Sequence, residues 1–325
     1  MKLVAVSRVL NDDDIIEAFV RHHAPFVDHH VLLDKGSIDR TAEILRKLGE
    51  AGFSLTAFSN RAPTFTDTAF NTFLYRYAVE EQQADGVIFL DPDEFLDVRR
   101  IGVGLRRRLG ELDPQASGFR LRSIDYHASA ADNPKDLLVP RRIHLRDPVP
   151  GATEKLFVRR LLPSWKVVVD GGNDKASFDG KELGFLPENR VVLANFADRG
   201  RWHWLSRVVI ERLKILSSGR QEVPQDRNEH CAATYEILRD TPEKLGLPLD
   251  FGNFPPPSQE WVEDRIAYSG GPLAFTESGD ERLKALRAVI AAAERLAEQH
   301  ARLIDTNHAV KLQVDQWAMQ FQRVV

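Results

Sequence analysis

Residues 1–90 alternate short apolar runs with stretches that repeat apolar residues at helical spacing, and this alternation restricts the fold more than any other feature. The apolar runs predict strands, and the stretches between them predict amphipathic helices. Strands that alternate with helices form βαβ units, so we expect an α/β fold with a mostly parallel sheet flanked by helices. The predicted elements are, in chain order, a strand at Leu3–Val6, a helix at Asp12–His23, a strand at Val31–Leu33, a helix at Thr41–Ala51, a strand at Phe53–Phe58, a helix at Thr68–Gln83 and a strand at Val87–Leu90.

The chain as a whole is expected to divide into three parts. Residues 1–216 form the α/β domain, residues 217–260 contain several prolines and predict a linker or extended arm, and residues 261–325 predict a helical extension. An apolar stripe on the extension favours packing on the main domain or on a second copy of the chain, as a homodimer. The stripe comprises Leu283, Leu286, Ile290, Ala293, Ala297 and Leu303. Further elements are predicted as helices at Arg99–Leu112 and Trp202–Leu216 and strands at Phe119–Tyr126, Lys155–Leu161, Trp165–Asp170 and Val191–Phe196.

Composition excludes several classes of protein. The 325 residues carry a formal net charge of −4, which gives no support for nucleic-acid binding. Cys231 is the single cysteine, so neither an intramolecular disulfide nor a cysteine-rich zinc site can form. The first apolar run is too short for a secretory signal peptide, and no run reaches the roughly 18 apolar residues of a membrane span. We expect a cytoplasmic protein. Attachment to the inner face of the membrane through a partner protein is an open alternative.

The strand predicted at Val87–Leu90 runs directly into Asp91, Pro92 and Asp93. Carboxylates at the carboxyl end of a buried strand stand where open α/β sheets bind ligands. Pro92 fixes the backbone between the two carboxylates, and such a pair suits a hard divalent cation that carries substrate phosphates. A solvated turn is the alternative, and the short motif by itself does not decide between them.

A second polar turn follows the strand at Val31–Leu33. Asp34 can accept hydrogen bonds from a ribose or a base, and Gly36 allows a sharp turn of the backbone. The alternative is a capping turn, in which Ser37 or Asp39 begins the following helix.

These motifs together resemble the N-terminal half of family 2-type glycosyltransferases of the GT-A fold, a Rossmann-like α/β architecture. The family pattern is an Asn-Glu pair, a helix that ends His-His, a Val-Asp-His, an Asp-Asn-Gly-Ser-Thr-Asp-Gly-Thr turn and, about fifty residues later, Asp-Ala-Asp-Glu-Phe. This chain has Asn11-Asp12, His22-His23, Val27-Asp28-His29, Asp34-Lys35-Gly36-Ser37-Ile38-Asp39-Arg40-Thr41 and Asp91-Pro92-Asp93-Glu94-Phe95. The resemblance covers residues 3–97, weakens to about residue 214 and is absent beyond.

The resemblance implies a nucleotide-sugar donor (a UDP-, GDP- or dTDP-sugar), a divalent Mn²⁺ or Mg²⁺ and a glycan or lipid-linked acceptor, with inversion at the anomeric carbon. It implies that Asp93 ligates the metal and that Asp91 faces the ribose or donor sugar and contributes to the metal site. The residues that it assigns to the nucleotide sugar are Asn11, Asp34, Gly36, Ser37, Asp39 and Asp91. Departures from the family pattern at Lys35, Ile38, Arg40 and Pro92 remove none of these ligands.

Weaker similarities continue in the second half. Gly172-Asn173-Asp174 is similar to a Gly-Asn-His element, so Asp174 is a candidate metal ligand or general base, with a plain Asx turn as the alternative. Arg199 and Lys214 stand where the family has an arginine and a lysine, and either of them, or Arg201, is a candidate to neutralise the diphosphate. The alternative is a basic helix start.

The acceptor hydroxyl needs a base, and sequence offers several carboxylates. The candidates are Asp174, Glu154, Asp125 and Asp147, of which we predict Asp174 first and Glu154 second. Two other functions stay open. A nucleotidyltransferase is disfavoured because residues 7–12 contain no glycine, and a non-catalytic scaffold is disfavoured by the retained Asp91 and Asp93.

Overall fold

The computed structural model describes residues 1–61, 67–101, 104–111, 113, 115–218, 225–241, 258, 260–305 and 321–323. Its helices are α1 (Ile16–His23), α2 (Thr41–Glu50), α3 (Asp67–Glu80), α4 (Leu105–Gly110), α5 (Val139–Arg142), α6 (Arg201–Ser218), α7 (Gln225–Asp240) and α8 (Glu281–Asp305). Its strands are β1 (Leu3–Val9), β2 (His29–Asp34), β3 (Leu55–Ser59), β4 (Gly86–Phe89), β5 (Glu94–Asp97), β6 (Gly118–His127), β7 (Leu145–Arg146), β8 (Glu154–Arg159), β9 (Val167–Val169), β10 (Ala176–Phe178), β11 (Lys181–Glu182), β12 (Phe185–Asp198), β13 (Val262–Glu263) and β14 (Gln322–Arg323).

One central sheet contains most of these strands. Strands β4, β1, β2 and β3 lie side by side and are all parallel, as the alternation predicts. Strand β8 pairs antiparallel with both β4 and β6 and joins the parallel half to a mixed half, in which β12 runs parallel to β6 and antiparallel to β5. The predicted α/β fold, with helices flanking the sheet and a helical C-terminal extension, is confirmed.

Strand β1 shows why the centre of the sheet is apolar on both faces. Leu3 and Ala5 pack in one hydrophobic cluster with α1 and α2, whereas Val4 and Val6 pack in a second cluster with α3. Successive side chains of a strand point to opposite faces, so a strand covered by helices on both sides is apolar throughout. For this reason the first strands are continuous apolar runs in the sequence and can be predicted from it.

Two helices begin several residues later than predicted. Helix α1 begins at Ile16 and not at Asp12, because Ile15 has φ of −133°, outside the helical region, so residues 13–15 form a separate turn. The helix predicted at Arg99–Leu112 is reduced to α4, since Asp97 accepts the Arg99 N–H at 3.1 Å and holds that segment in a turn. The first correction leaves three aspartates on a loop, where they approach the candidate site.

Two strands also differ from the prediction. The strand predicted at Trp165–Asp170 begins only at Val167, because Ser164–Lys166 forms a 3₁₀ turn. Strand β5 follows the Asp91–Asp93 motif directly and pairs with β12, although the sequence pattern predicts no strand there. The acidic motif is therefore a tight connection between two strands.

The C-terminal helix α8 packs on the main domain against α6. Small side chains, Ala285 and Ala288, are buried on its packing face. The larger residues of the predicted stripe face away, with Leu283, Leu286 and Ile290 exposed by 57%, 56% and 47%. Helix α8 thus packs on the main domain through small side chains and not through the larger residues of the predicted stripe, and the homodimer stays a prediction.

The segment predicted as a linker contains helix α7, while its prolines at positions 242, 248 and 255–257 lie outside the described residues. In the part of the chain that the structure describes, no helix combines the length and hydropathy needed to cross a membrane.

Candidate functional site

A cavity of about 1090 Å³ lies at the carboxyl ends of β1, β2 and β4. Open α/β sheets bind their ligands at this edge. The loops that follow these strands line it with Asn11, Asp12, Asp13, Asp14, Lys35, Asp39, Asp91, Pro92 and Asp93. The other walls include Arg8, Asp67, Asp125, His127, Asn195, Arg207, Lys214 and, from α8, Lys284 and Ala288.

The two carboxylates that follow β4 both line this cavity, and a basic side chain holds each of them. Asp91 Oδ2 lies 2.5 Å from Lys155 Nζ. Asp93 Oδ2 lies 3.3 Å from a guanidinium nitrogen of Arg207 and 3.5 Å from one of Arg199. The pair is therefore fixed by ion pairs and is not a freely solvated turn.

Glu94 supports the same loop from inside the protein. Its carboxylate accepts the Asp91 N–H at 2.9 Å, and it also lies 3.8 Å from Lys155 Nζ. Burial raises the pKa of Glu94 to about 8, although Lys155 counteracts the shift. Burial also disfavours the charge of Asp91, but Lys155 and Arg8 lower its pKa below the usual value. At neutral pH the negative charge therefore resides on Asp91, while Glu94 tends to keep its proton.

Arg199 lies beneath the cavity, with 1% of its side chain exposed. Its guanidinium pairs with Asp12 at 2.8 Å and with Asp14 at 3.0 Å, in addition to Asp93. Burial raises the pKa of Asp12 to about 7 in spite of this guanidinium. Burial also disfavours the charge of Asp14, but Arg199 holds its pKa below the usual value. Arg199 is not among the residues that line the cavity, so the geometry does not support the predicted contact with a diphosphate.

The turn after β2 is stabilised by its own side chains. Asp34 Oδ1 accepts the N–H groups of Gly36 and Ser37 at 3.1 and 2.8 Å, and the Ser37 hydroxyl at 2.7 Å. Gly36 has φ of 87°, and a Cβ at this position would lie 2.9 Å from the guanidinium of Arg295. Asp34, Gly36 and Ser37, all predicted to bind the nucleotide, therefore shape the turn and do not themselves line the cavity.

Asn11 and Asp39 do line the cavity, where they join the loops after β1 and β2. The Asn11 side-chain oxygen accepts the Ile38 N–H at 2.9 Å, and Asp39 accepts the N–H groups of Thr41 and Asp13 at 2.9 and 3.1 Å. Burial, reinforced by the nearby Asp13, raises the pKa of Asp39 to about 6. Asp39 thus stabilises the turn that leads into α2, whose N-cap is Arg40, and also faces the cavity.

One end of the cavity carries more positive than negative charge. Asp67 Oδ1 lies 2.6 Å from Arg8 and 2.7 Å from Lys35, so one carboxylate is shared by two basic side chains. Lys214 also lines the cavity, and burial together with Lys35 lowers its pKa to about 8. Glu211 also lines the cavity and interacts with Lys214, so three cations face two carboxylates, and the cations suit the oxygens of a phosphate group.

The two carboxylates predicted as general bases lie elsewhere. Glu154 faces Arg120 at 3.6 Å, whereas its neighbour Lys155 reaches Asp91, because successive side chains of a strand point to opposite faces. Asp174 belongs to a turn in which its N–H donates to Asp170 at 3.1 Å. Neither Glu154 nor Asp174 lines the cavity.

Of the other two candidates, Asp125 lines the cavity and accepts a hydrogen bond from Asn195 Nδ2 at 2.7 Å. Asp147 does not line it but is bonded to a residue that does, His127. Sequence reasoning missed His127, as well as Lys155, Arg207 and Arg8. Of these four residues, only Lys155 could have been proposed from the sequence. It follows Glu154 on a predicted strand, so one of these two side chains had to point towards the site if the other pointed away.

The donor set fits a hard divalent cation. The cavity offers carboxylate oxygens from Asp91 and Asp93, and a cation of this kind takes one or two carboxylates together with the oxygens of substrate phosphates. Among the described residues there is no group of three or more His, Cys, Asp or Glu side chains arranged to hold a metal without such a substrate.

Neither a protein-family model nor a curated protein matches this chain. Its structure is similar to solved structures at low identity. The mannosyltransferase PcManGT from Pyrobaculum calidifontis, in complex with GDP-Man and Mn²⁺, is 14% identical over 98% of this chain and 85% of that chain, with a TM-score of 0.38. TarS 1–349 from S. aureus, in complex with UDP, is 10% identical over 77% of this chain and 76% of that chain, with a TM-score of 0.33. Glucosyl-3-phosphoglycerate synthase from Mycobacterium tuberculosis, in complex with Mn²⁺, UDP and glucosyl-3-phosphoglycerate, is 18% identical over 38% of this chain and 44% of that chain, with a TM-score of 0.25.

Proposed function

We propose that this protein is a metal-dependent glycosyltransferase that moves a sugar from a nucleotide-sugar donor to a glycan or lipid-linked acceptor, with inversion. The observation that carries the proposal is the pair Asp91 and Asp93, held by ion pairs at the carboxyl end of β4 and facing a cavity that Arg8, Lys35 and Lys214 also line. A divalent cation on the two carboxylates, together with these three side chains, would match the charge of a nucleoside diphosphate. The resemblance of residues 3–97 to family 2-type enzymes supports the same assignment.

Asp93 and Asp91 would hold the Mn²⁺ or Mg²⁺ against the diphosphate. When bound, that cation would neutralise the charge that develops on the leaving nucleoside diphosphate. Arg8, Lys35 and Lys214 surround the far end of the cavity and would pair with the remaining phosphate oxygens. These groups are already in place, so little reorganisation accompanies the transfer.

The nucleoside would lie along the loops after β1 and β2. Asn11 and Asp39 face the cavity there and can hydrogen-bond a ribose or a base. Asp34, Gly36 and Ser37 would contribute indirectly, by fixing the backbone of the turn on which Lys35 and Asp39 stand.

Ligand-dependent stabilisation tests the donor site. Thermal unfolding would be recorded with UDP, GDP and dTDP, each with Mn²⁺ and with EDTA. A ligand at a hundredfold excess over its Kd stabilises the native state by about 2.7 kcal/mol, so we expect a clear increase in Tm for one nucleotide, only with metal. Asp93→Asn should abolish the increase. The control is Asp113→Asn, an exposed aspartate that does not line the cavity.

A metal-independent nucleotide-binding protein is the second candidate. It is favoured by one observation: both Asp91 and Asp93 already have a basic partner within the protein. On this alternative the nucleotide raises Tm equally with Mn²⁺ and with EDTA, and Asp93→Asn has no effect on the increase. A protein that no nucleotide stabilises would contradict both candidates.

A further inference from the structure

His127 lines the cavity at the end of β6, across the sheet from the residues that would bind the nucleotide. It stands two residues beyond Asp125, and alternate residues of a strand share one face of the sheet. Asp125 and His127 therefore present their side chains to the same space.

The register of the strands gives the position of Asp125 and His127 relative to Asp91 and Asp93. Strand β12 lies between β5 and β6, and Asn195 has Glu94 on one side and Asp125 on the other. Neighbouring strands are about 4.8 Å apart, so the backbone of Asp125 lies about 10 Å from that of Glu94, next to Asp93. His127 is farther along the same strand. Asp91, Asp93 and His127 line the same cavity from the two sides of β12, so the transferred sugar would lie over the end of that strand.

The imidazole of His127 is held in one orientation. Its Nε2 lies 2.9 Å from Asp147 Oδ1, and its ring stacks on Trp261 with centroids 4.5 Å apart and planes at 7°. Asp147 is fixed in turn, because its N–H donates to the Asp125 carbonyl at 3.0 Å. A carboxylate at Nε2 keeps the proton on that nitrogen and leaves the lone pair on Nδ1 free to accept one.

The charged groups around this ring are mainly acidic. They are Asp147 from the loop after β7, Asp125 from β6 and Asp198 from β12, and Asp198 in turn interacts with Arg201 and Arg207 of α6 and with Asp132. Carboxylates therefore outnumber cations around the ring.

We propose that His127 is the general base of the transfer and that Asp147 positions it; this assignment rests on the proposed glycosyltransferase function. His127 Nδ1 takes the proton of the acceptor hydroxyl as that oxygen bonds to the anomeric carbon. The bond between the anomeric carbon and the diphosphate oxygen breaks, and the nucleoside diphosphate leaves with the electron pair. His127 then returns its proton to water. The reaction needs no further reactant.

The variants that test this are His127→Gln, Asp147→Asn and Asp125→Asn. The glutamine amide can keep the hydrogen bond to Asp147 and has no basic nitrogen. His144→Gln is the matched control, since His144 lies outside the cavity and bonds a backbone carbonyl, that of Arg142, at 3.0 Å. Two quantities are measured for each variant: calorimetric binding of the nucleoside diphosphate with Mn²⁺, and release of that nucleotide from the nucleotide sugar between pH 5 and 9, with water as acceptor.

We expect all variants to bind nucleotide within about twofold of the wild type. General-base catalysis contributes about 10²–10⁴-fold, so His127→Gln should lose at least a hundredfold in rate and also the decline of rate at acidic pH. Asp147→Asn should keep the decline of rate at acidic pH but shift the pH at which it occurs. His144→Gln should match the wild type in rate and in pH dependence.

A His127→Gln variant that retains the rate and the acidic decline overturns the assignment. Loss of both in Asp125→Asn, with His127→Gln unaffected, would make Asp125 the base. A wild-type protein that binds no nucleotide overturns the proposed function itself, and the binding measurement distinguishes this outcome from the others.

Discussion

Replacing Arg199 by leucine should destabilise the protein strongly. The guanidinium pairs with Asp12, Asp14 and Asp93 at 2.8, 3.0 and 3.5 Å, and its 1% exposure leaves little room for water to replace it. Removal of one partner from a buried ion pair destabilises a protein by about 3–5 kcal/mol. Three carboxylates lose the same partner here, so we expect a decrease in the free energy of unfolding of about 5 kcal/mol at pH 8.

The size of this decrease should depend on pH, because the carboxylates can take up protons instead. In the wild type, Arg199 holds the pKa of Asp14 below its usual value against the effect of burial. Without Arg199, burial raises the folded-state pKa values above those of the unfolded chain. The folded variant then binds more protons than the unfolded one, so its stability rises as pH falls. Between pH 8 and 5 the difference from wild type should shrink, by up to about 1.4 kcal/mol per pH unit for each carboxylate that titrates.

Urea unfolding of both proteins at pH 5, 6.5 and 8 measures these differences. Arg190→Leu is the control, since Arg190 is an exposed arginine on β12, the strand that ends beside Arg199. A decrease below about 1 kcal/mol, or one of equal size at all three pH values, would refute the account. Arg199 would then contribute packing and not charge.

Three further predictions concern groups around the sheet. Lys155→Met removes the ion-pair partner of Asp91, whose side chain is 32% exposed, and should lower the free energy of unfolding by about 1–3 kcal/mol in urea titrations, together with a weaker affinity for nucleotide and metal by calorimetry. Gly36→Ala forces an alanine to a φ of 87° and should destabilise by about 1–3 kcal/mol in the same titrations. His30 is buried, both of its ring nitrogens lack a hydrogen-bond partner among the described residues, and burial lowers its pKa to about 3. The unfolded chain binds the proton of this residue below pH 6.5 and the folded chain does not, so His30→Leu should gain about 2 kcal/mol relative to wild type between pH 7 and pH 5.

Each of these has a result that contradicts it. Unchanged stability and affinity in Lys155→Met would mean that Asp91 needs no partner. A Gly36→Ala protein as stable as the wild type would mean that the turn can relax. If the free energies of unfolding of His30→Leu and wild type differed by the same amount from pH 7 to pH 5, His30 would be protonated in the folded state as it is in the unfolded chain.

The sheet could be predicted from the sequence because each of its first strands is buried on both faces. An apolar run such as Val87–Leu90 needs no tertiary information to be recognised. Helix boundaries that depend on one residue's backbone angles or on one side chain could not be predicted in the same way. Asp12 lies outside α1 because Ile15 leaves the helical region, and Asp97 holds Arg99 in a turn before α4.

The candidate site was predictable where motif and strand end coincide, as at Asp91 and Asp93. It was not predictable where long-range packing decides which side chain faces the cavity. Glu154 and Lys155 are neighbours, yet only Lys155 reaches the site, because pairing of β8 with β4 sets which face turns inward. The sequence offers Arg199 as one of three candidates to neutralise a diphosphate, whereas its distant partners Asp12 and Asp14 hold it beneath the cavity.

The central claim is that the cavity transfers a sugar from a nucleotide donor, and nucleotide release tests it most directly. GDP- and UDP-sugars would be incubated with the protein and Mn²⁺, and the freed nucleoside diphosphate measured for wild type, Asp93→Asn and Asp113→Asn. We predict metal-dependent release from one donor, at least a hundredfold slower in Asp93→Asn and unchanged in Asp113→Asn. Release that is equally fast in Asp93→Asn, or that persists in EDTA, would contradict the account.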